Sequence, residues 1–387
     1  MIASSTPATP ERWQLRQHGS IAEIDATAWD ALFDARYPFT RHAFLRALET
    51  SGCATAHSGW QPCHATLTRD DGQLLAAAPL YLKQHSYGEF VFDWAWAEAS
   101  QRLGSSYYPK LLCAVPFTPS QGPRLGACDA TARRALATAL PGLAGGGPVS
   151  SLHVLFANDT DREALTNEAA QPRCDVQFHW HNRGYADFAD FLAQLTAEKR
   201  KKILRERRRI AESGLRFSVA PGDRLDAADW AEVLRLYGNT YEVRGQNPYL
   251  NLEFFLDYGA RAGTPVRLIM CRDGARLVAV AITVQGGDTL YGRHWGAEAD
   301  YHSLHFETCY YQGIDYCIRE GLAHYDAGAQ GEHKLARGFE PCLTHSLHWL
   351  NEPRLAAAVA RHLQRERPLV QARYRELRQH MPYRQTS

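Results

Sequence analysis

Thr289-Leu-Tyr-Gly-Arg-His-Trp-Gly-Ala297 runs through Glu298-Ala-Asp-Tyr-His-Ser303 into the helix-like Leu304 to Glu320, and His324-Tyr-Asp-Ala-Gly-Ala329 follows. This order reads as strand, acidic turn, helix closed by Gly321, and second strand. The chain then enters Gln330-Gly-Glu-His-Lys-Leu-Ala-Arg-Gly-Phe339. Arg293, His294, Glu332, His333, Lys334 and Arg337 thus gather just beyond apolar strand positions. Ligands of open α/β sheets bind outside strand ends, so chemistry is expected here rather than in an ordinary polar loop.

Upstream elements repeat. Residues 61–70 and 73–82 read as a hairpin around Arg69-Asp-Asp-Gly72, and 266–271 with 276–284 as another around Arg272-Asp-Gly-Ala275. Helical patterns precede each, at 20–34 and 42–50 in the first half and at 227–241 and 251–262 in the second. Gly88 to Trp96, with alternating apolar residues, is expected as a third strand equivalent to Tyr291–Ala297. A helix at 129–143 and a strand at 151–156 follow, and Gln171 to Gly184 reads as a junction. The recurrence predicts two related domains, 19–175 and 176–350. A short disordered lead (1–18) precedes them. A helical tail (351–387), broken near Pro368, follows.

Size agrees with two cores, since 387 residues exceed one typical domain. A net charge of +1 argues against a globally basic nucleic-acid binder, so any basic surface is local. No apolar stretch reaches the length of a membrane span. The N-terminus lacks the basic and apolar regions of a signal peptide. Nine cysteines without a Cys-x-x-Cys pair suggest reduced thiols and a cytoplasmic location. Seventeen histidines form no zinc-like spacing, so no metal is expected.

Two further stretches stand out. Tyr107 to Leu125 carries four prolines, which exclude a helix interior and leave a stiff extended segment presenting Tyr108, Lys110, Thr118 and Arg124. Lys199-Arg-Lys-Lys-Ile-Leu-Arg-Glu-Arg-Arg-Arg209 has eight cations in eleven residues on a helix ending near Ser213-Gly214. It reads as a solvated face, a nucleic-acid footprint or a site for a phosphorylated small molecule; Lys199, Arg200, Lys201, Lys202 and Arg205 are the candidate phosphate contacts.

Phe92-Asp-Trp-Ala-Trp-Ala97, Tyr107-Tyr-Pro-Lys-Leu-Leu112, Pro116-Phe-Thr-Pro119, Gly122-Pro-Arg124 and Gly328-Ala-Gln-Gly-Glu-His-Lys334 with Ala336-Arg-Gly-Phe-Glu-Pro341 resemble the FemAB-like predicted N-acyltransferases of bacteria. The resemblance spans roughly residues 20–350. It implies an α/β fold of two tandem Gcn5-related acyltransferase (GNAT) domains with mixed, mostly antiparallel sheets, as in the Fem-type peptidoglycan aminoacyltransferases. It also implies acyl-CoA or aminoacyl-tRNA as co-substrate and no tightly bound cofactor. The turn Glu298–Ser303, which would hold the CoA pyrophosphate, has two carboxylates and no glycine, which disfavours an anion. The turn at Gly104, with Arg102 and Lys110 nearby, suits an anion better.

Transfer to an amine needs a base for the acceptor ammonium and a donor for the developing oxyanion. Glu332 and His333 are the candidate bases, with His294 behind them. Arg293, Lys334 or backbone N–H groups near Gly331 are candidates for the oxyanion; Trp295, Tyr291, Tyr108 and Arg337 would shape the pocket, with Lys110 and Arg124. The acceptor would be a small-molecule or peptide amine. Two other readings use the same residues: a non-catalytic module that binds a cell-wall peptide or nucleotide-linked ligand, and a tRNA-binding protein working through 199–209. The oligomeric state is open, a homodimer included.

Overall fold

A computed structural model describes residues 13–384, apart from 146, 244, 299–302 and 330. Its fifteen strands are β1 (Trp13–His18), β2 (Trp60–Pro62), β3 (His64–Arg69), β4 (Leu74–Ala78), β5 (Leu80–Lys83), β6 (Lys110–Cys113), β7 (Gly126–Ala127), β8 (Ser151–Leu155), β9 (Gln171–His181), β10 (Arg216–Pro221), β11 (Val266–Asp273), β12 (Arg276–Gly286), β13 (Thr289–Ala297), β14 (His324–Asp326) and β15 (Glu340–Leu350). Eleven form one sheet in the order β10-β11-β12-β13-β14-β9-β15-β8-β6-β5-β2. A second sheet is β1-β3-β4-β7.

The repeat is visible in this order. In the second half, β13 runs into the helical segment Leu304–Arg319 and returns as β14, parallel to it. In the first half, β6 leads through the helix Ala130–Ala144 to β8, again parallel. Each parallel pair is then closed by a strand of the other half. β14 pairs with β9, and β8 pairs with β15. β9 and β15 pair with each other across the middle, from Gln171↔His348 to His179↔Glu340. The halves therefore share one sheet by exchanging their last strands, and the expected boundary at 175/176 falls inside β9.

Several expectations change. Gly88 to Trp96 is not a strand, because Gly88 and Phe90 adopt left-handed backbone conformations (φ 79° and 60°) and the helix Trp94–Arg102 begins at once. The counterpart of β13 is β6. The junction at 171–184 is the eleven-residue β9. Residues 13–18, read as part of the lead, form β1, with Trp13 and Leu15 packed on the core. The C-terminal helix Pro353–Gln379 runs unbroken through Pro368. An internal proline costs roughly 3 kcal/mol. Buried Leu355, Val359, Leu363 and Leu377 hold this helix on the sheet regardless. Arg173 also pins it, donating through Nε and Nη2 to Glu366 at 2.9 and 2.8 Å. The β11–β12 pair forms as expected; the first hairpin keeps its turn, but its expected strands 61–70 and 73–82 are each divided, β3 and β4 pairing in the small sheet and β2 and β5 in the large one.

Candidate active site

The site is a consequence of period-two alternation in β9 and β15. Gln171, Arg173, Asp175, Gln177 and His179 point to one face of the sheet, with Pro172, Val176, Phe178 and Trp180 on the other. Their partners on β15 are His348, Ser346, Thr344, Cys342 and Glu340, so paired polar residues share that face. Phe178, Trp180, Tyr325 and Leu347 on the opposite face enter apolar cores. The cavity at the centre of the sheet draws on both sets, with Cys174, Val176 and Phe178 beside Arg173, Asp175 and Gln177.

Four segments roof the polar face. From the first half come Phe90–Phe92 and Pro116–Pro119. Arg173 Nη1 donates to the Phe92 carbonyl at 2.7 Å, and Gln177 Nε2 to the Pro119 carbonyl at 2.9 Å. From the second half comes the loop around Gly331 and Glu332; the C-terminal helix adds Val370, Arg373 and Leu377. Between them lies a cavity of about 330 Å³. Arg173, Asp175, Gln177, Thr344, Ser346, Glu332 and Arg373 supply its polar wall. Gln177, only 4% exposed, leaves its Oε1 without a partner. Phe90 and Phe156, both on the cavity wall, hold left-handed conformations (φ 60° and 55°). Such strain costs roughly 1–3 kcal/mol per residue and collects at functional sites.

Next to the cavity, β13 and β14 separate. Their pairing covers three residues, from Thr289↔His324 to Tyr291↔Asp326. Beyond it, β13 bulges: Ile282 faces His294 and Thr283 faces Gly292, leaving Arg293 as the extra residue. A bulge of this kind re-aims a side chain. Arg293 reaches across to donate to the Phe117 carbonyl and lies 5.2 Å from the Phe39 ring. In the opening, Asp326 keeps Oδ2 unpartnered and buried, and His179 Nε2 stands 3.7 Å from Asp326 Oδ1. Burial lowers the basicity of His179, with Asp326 opposing. Lys334, 1% exposed, donates to the Gly328 carbonyl at 2.5 Å. Burial pulls its ammonium down to about 8, with Asp326 opposing. Burial also lowers the Arg293 guanidinium and raises the Tyr291 phenol.

The sequence candidates divide among four places. Glu332 lies on the cavity wall, where Arg373 Nη2 donates to it at 2.7 Å. Arg293, Tyr291 and Lys334 surround the opening between β13 and β14. His333 does not line the cavity; its Nε2 is 2.8 Å from the Tyr310 hydroxyl. Burial lowers its basicity, and Arg337, Lys334 and Lys202 add to the effect. Arg337 donates to Glu206 at 2.8 Å and to the His333 carbonyl at 2.8 Å, and lies 3.4 Å from the Phe306 ring. It is a buried brace rather than a pocket wall. His294 lies against Tyr237, ring centroids 4.8 Å apart, and burial lowers it to about 3. Trp295 stacks edgewise on His305.

The first-half candidates are internal. Arg124, fully buried, donates to the carbonyls of Leu155 and Ser120 at 2.8 and 2.7 Å. Lys110, also fully buried, donates to Ser86, Glu89 and Asp93 at 2.8, 2.8 and 2.5 Å. Half-buried Tyr108 bonds to Ser86 at 2.8 Å. The basic run lies on the helix Ala197–Glu212, docked through Ile203, Ile210 and Glu206. Lys199 pairs with Glu198 at 2.9 Å, while Lys201 and Arg205 are exposed and Arg200 and Lys202 half-buried. Of the turn expected to meet a pyrophosphate, 299–302 lie outside the described residues. Glu298 pairs with Arg276 at 2.9 Å.

Sequence reasoning missed Arg173, Asp175, Gln177, His179, Thr344, Ser346, Asp326 and Arg373. The strict polar–apolar alternation of 171–181 was the available signal for the β9 members. Arg373 had none, because it reaches the site only through the docking of its helix.

Two repeated halves, each built on a parallel strand pair joined through a helix, with a polar cavity where they meet, define a tandem GNAT-type acyltransferase fold. The chain belongs to the FemAB-like family, described as peptidoglycan biosynthesis/recognition, whose model matches residues 20–385. FemX, a solved structure 12% identical, superposes with a TM-score of 0.50 over 89% of this chain and 100% of its own. The C-terminal domain of a putative lysylphosphatidylglycerol synthetase from Agrobacterium fabrum, 10% identical, gives 0.51 over 89% and 96%. No curated protein matches the chain by sequence. Among the described residues, no helix is long and apolar enough to cross a membrane.

Proposed function

We propose that the protein transfers an acyl or aminoacyl group from an acyl-CoA or aminoacyl-tRNA donor to an amine of a small molecule or peptide, of the kind found in peptidoglycan precursors. The supporting observation is the cavity between the halves, whose wall carries both signs of charge. Glu332, ion-paired with Arg373 at 2.7 Å, and Asp175 and Arg173 lie along it. That pairing suits an acceptor bearing an ammonium and a carboxylate, as an amino acid or peptide end does. Glu332 would receive the ammonium and the two arginines the anionic group.

The carbonyl of the donor would enter from the opening between β13 and β14. Arg293 and Lys334 border that opening and would oppose the charge developing on its oxygen. Direct attack by the amine then needs no covalent enzyme intermediate. His294, neutral and turned towards Tyr237, would shape the floor of this region rather than move a proton. His333 stands one residue beyond Glu332 and, neutral near pH 7, is a proton acceptor on the outer side of the loop.

The experiment is a transfer assay with an acyl-CoA or an aminoacyl-tRNA and a lysine-containing peptide, read by mass spectrometry. Glu332→Ala should lower kcat/KM by about tenfold to a hundredfold, the loss of one charge-assisted contact. A Glu332→Ala/Arg173→Ala variant as active as wild type would remove this reading. Binding without turnover by the wild type would favour a recognition module.

A further inference from the structure

The proposed reaction releases a proton from the acceptor ammonium, and an ordinary carboxylate is several units too acidic to take it readily. A different set of groups leads away from the cavity wall. Ser346 Oγ, on that wall, is 2.9 Å from His348 Nε2. His348 Nδ1 is 2.6 Å from His153 Nδ1. His153 Nε2 is 2.8 Å from Ser151 Oγ and 3.4 Å from the Tyr107 hydroxyl. Tyr107 donates to Asp93 Oδ2 at 2.7 Å. Asp93 accepts from Lys110, which also donates to Ser86 at 2.8 Å, and Ser86 is 2.8 Å from the Tyr108 hydroxyl. Tyr108 is half-buried; the groups before it are at most 5% exposed.

The line has a consistent direction. An ionised Asp93 only accepts, so Tyr107 donates to it and its oxygen stays open to a proton from His153 Nε2. His153 Nδ1 is then the acceptor for His348 Nδ1–H, and His348 Nε2 the acceptor for the Ser346 hydroxyl. His348 and Tyr107 each accept one hydrogen bond and give one, and His153 accepts one and shares its Nε2–H between Ser151 at 2.8 Å and Tyr107 at 3.4 Å. A line of such amphoteric groups is what proton hopping requires.

We infer that Ser346, His348, His153, Tyr107, Asp93, Lys110, Ser86 and Tyr108 form a proton relay that carries the acceptor's proton from the cavity to solvent. It rests on the transferase reading above. The ammonium gives its proton to Ser346 Oγ as the Ser346 hydrogen passes to His348 Nε2. The His348 Nδ1 hydrogen passes to His153 Nδ1, and the His153 Nε2 hydrogen to Tyr107. The Tyr107 hydrogen protonates Asp93. Lys110 loses a proton through Ser86 to Tyr108 and water, and regains one from Asp93. One proton enters, one leaves, and no charge is left behind; both imidazoles end in the opposite tautomer, and their ring protons must return before the next turnover. Burial keeps both imidazoles neutral, His153 at about 3. Arg173 and Lys110 lower His348 further, while Lys110 and Asp93 act on His153 in opposite senses. Trp96 packs on His348 at 4.8 Å between centroids.

The test compares wild type with His348→Gln, which keeps a donor and an acceptor but relays protons poorly, and with Ser346→Ala at the cavity end. Both are assayed with the lysine-containing peptide across pH 6–10, with folding checked by circular dichroism. The relay predicts kcat at pH 7 about a hundredfold lower with KM little changed. It also predicts recovery of about tenfold per pH unit, as solvent deprotonates the amine, that wild type does not show. If wild type turns over and both variants match it at every pH, the relay is overturned and the transferase reading stands. If His348→Gln does not fold, Ser346→Ala alone decides. If wild type transfers nothing to any amine, the transferase reading falls and takes the relay with it.

Discussion

The two halves use the same parallel pair in opposite ways. In the first, the space beside β6 and β8 is filled. Lys110 and Lys83 meet Glu89 and Asp93 with almost no exposure, and His153 stacks behind them. In the second, β13 and β14, which pair over three residues as β6 and β8 do, have no such ion network beside them among the described residues; Asp326 Oδ2 and His179 Nε2 are unpartnered, whereas the unpartnered Glu89 Oε1 and Asp93 Oδ1 sit within the first half's network. One copy of the fold has been closed by an ion network and the other kept open for a ligand. The difference lies in side chains, since the strand order is shared.

Breaking the closed half should have the largest effect. Asp93→Ala leaves the buried Lys110 and Lys83 to share Glu89, and removing one partner from a buried ion network costs about 3–5 kcal/mol. Urea unfolding should show that loss with an unchanged slope. A loss below about 1 kcal/mol would mean that the first half is as open as the second.

The open half should answer to pH. The Lys334 ammonium titrates at about 8 in the folded chain and near 10.5 unfolded. Between those values the unfolded chain holds more protons, so stability rises with pH there. At about 1.4 kcal/mol per unit this is a few kcal/mol at most. Below pH 8 the buried charge costs stability, and Lys334→Met, which removes it, should be as stable as wild type or more so. The wild type should gain on the variant from pH 8 to 10, measured by denaturation at each pH. Parallel curves would place Lys334 in water.

Within the proposed site, His333→Ala should cost less activity than Glu332→Ala, because only Glu332 lines the cavity. Both should change stability by less than about 0.5 kcal/mol, as exposed positions do. Equal losses in kcat/KM would move the chemistry to the outer side of the loop.

The smallest effect on stability is expected from the basic helix. Lys201→Ala/Arg205→Ala removes two exposed cations and should shift unfolding by about 0.5 kcal/mol or less. If aminoacyl-tRNA is the donor, the same variant should weaken its binding and flatten the salt dependence by about one unit per lost phosphate contact. No change in either would leave this face as a solvated surface.

Much of this architecture could be read without coordinates. Turn chemistry at Asp70-Asp-Gly72 and Asp273-Gly274 marked the paired strands, and the run Thr289 to Phe339 marked the strand–helix–strand unit. The exchange of β9 and β15 could not be read. Nothing local in Gln171–His181 says that its partner lies some 170 residues away, and the same residues look like a linker when read alone. Gly88–Trp96 misled for a related reason. Its aromatic alternation mimics a strand, while positive φ at Gly88 and Phe90 folds it into the roof of the cavity. The loop residues Glu332 and Lys334 were legible because unlike charges crowd a short segment. Arg173 and Ser346 were not, since they acquire meaning only when two distant strands align.

Transfer, on the function proposed above, takes place in the cavity shared by the halves. Val370, on the C-terminal helix, lines that cavity without belonging to any ion pair or hydrogen-bond chain described above. The most direct measurement is the rate of acyl or aminoacyl transfer to a lysine-containing peptide by Val370→Trp, beside wild type, once both are shown to unfold at the same urea concentration. Wild type should transfer, and the indole, by filling the space, should abolish transfer. Undiminished transfer by the filled variant would contradict this.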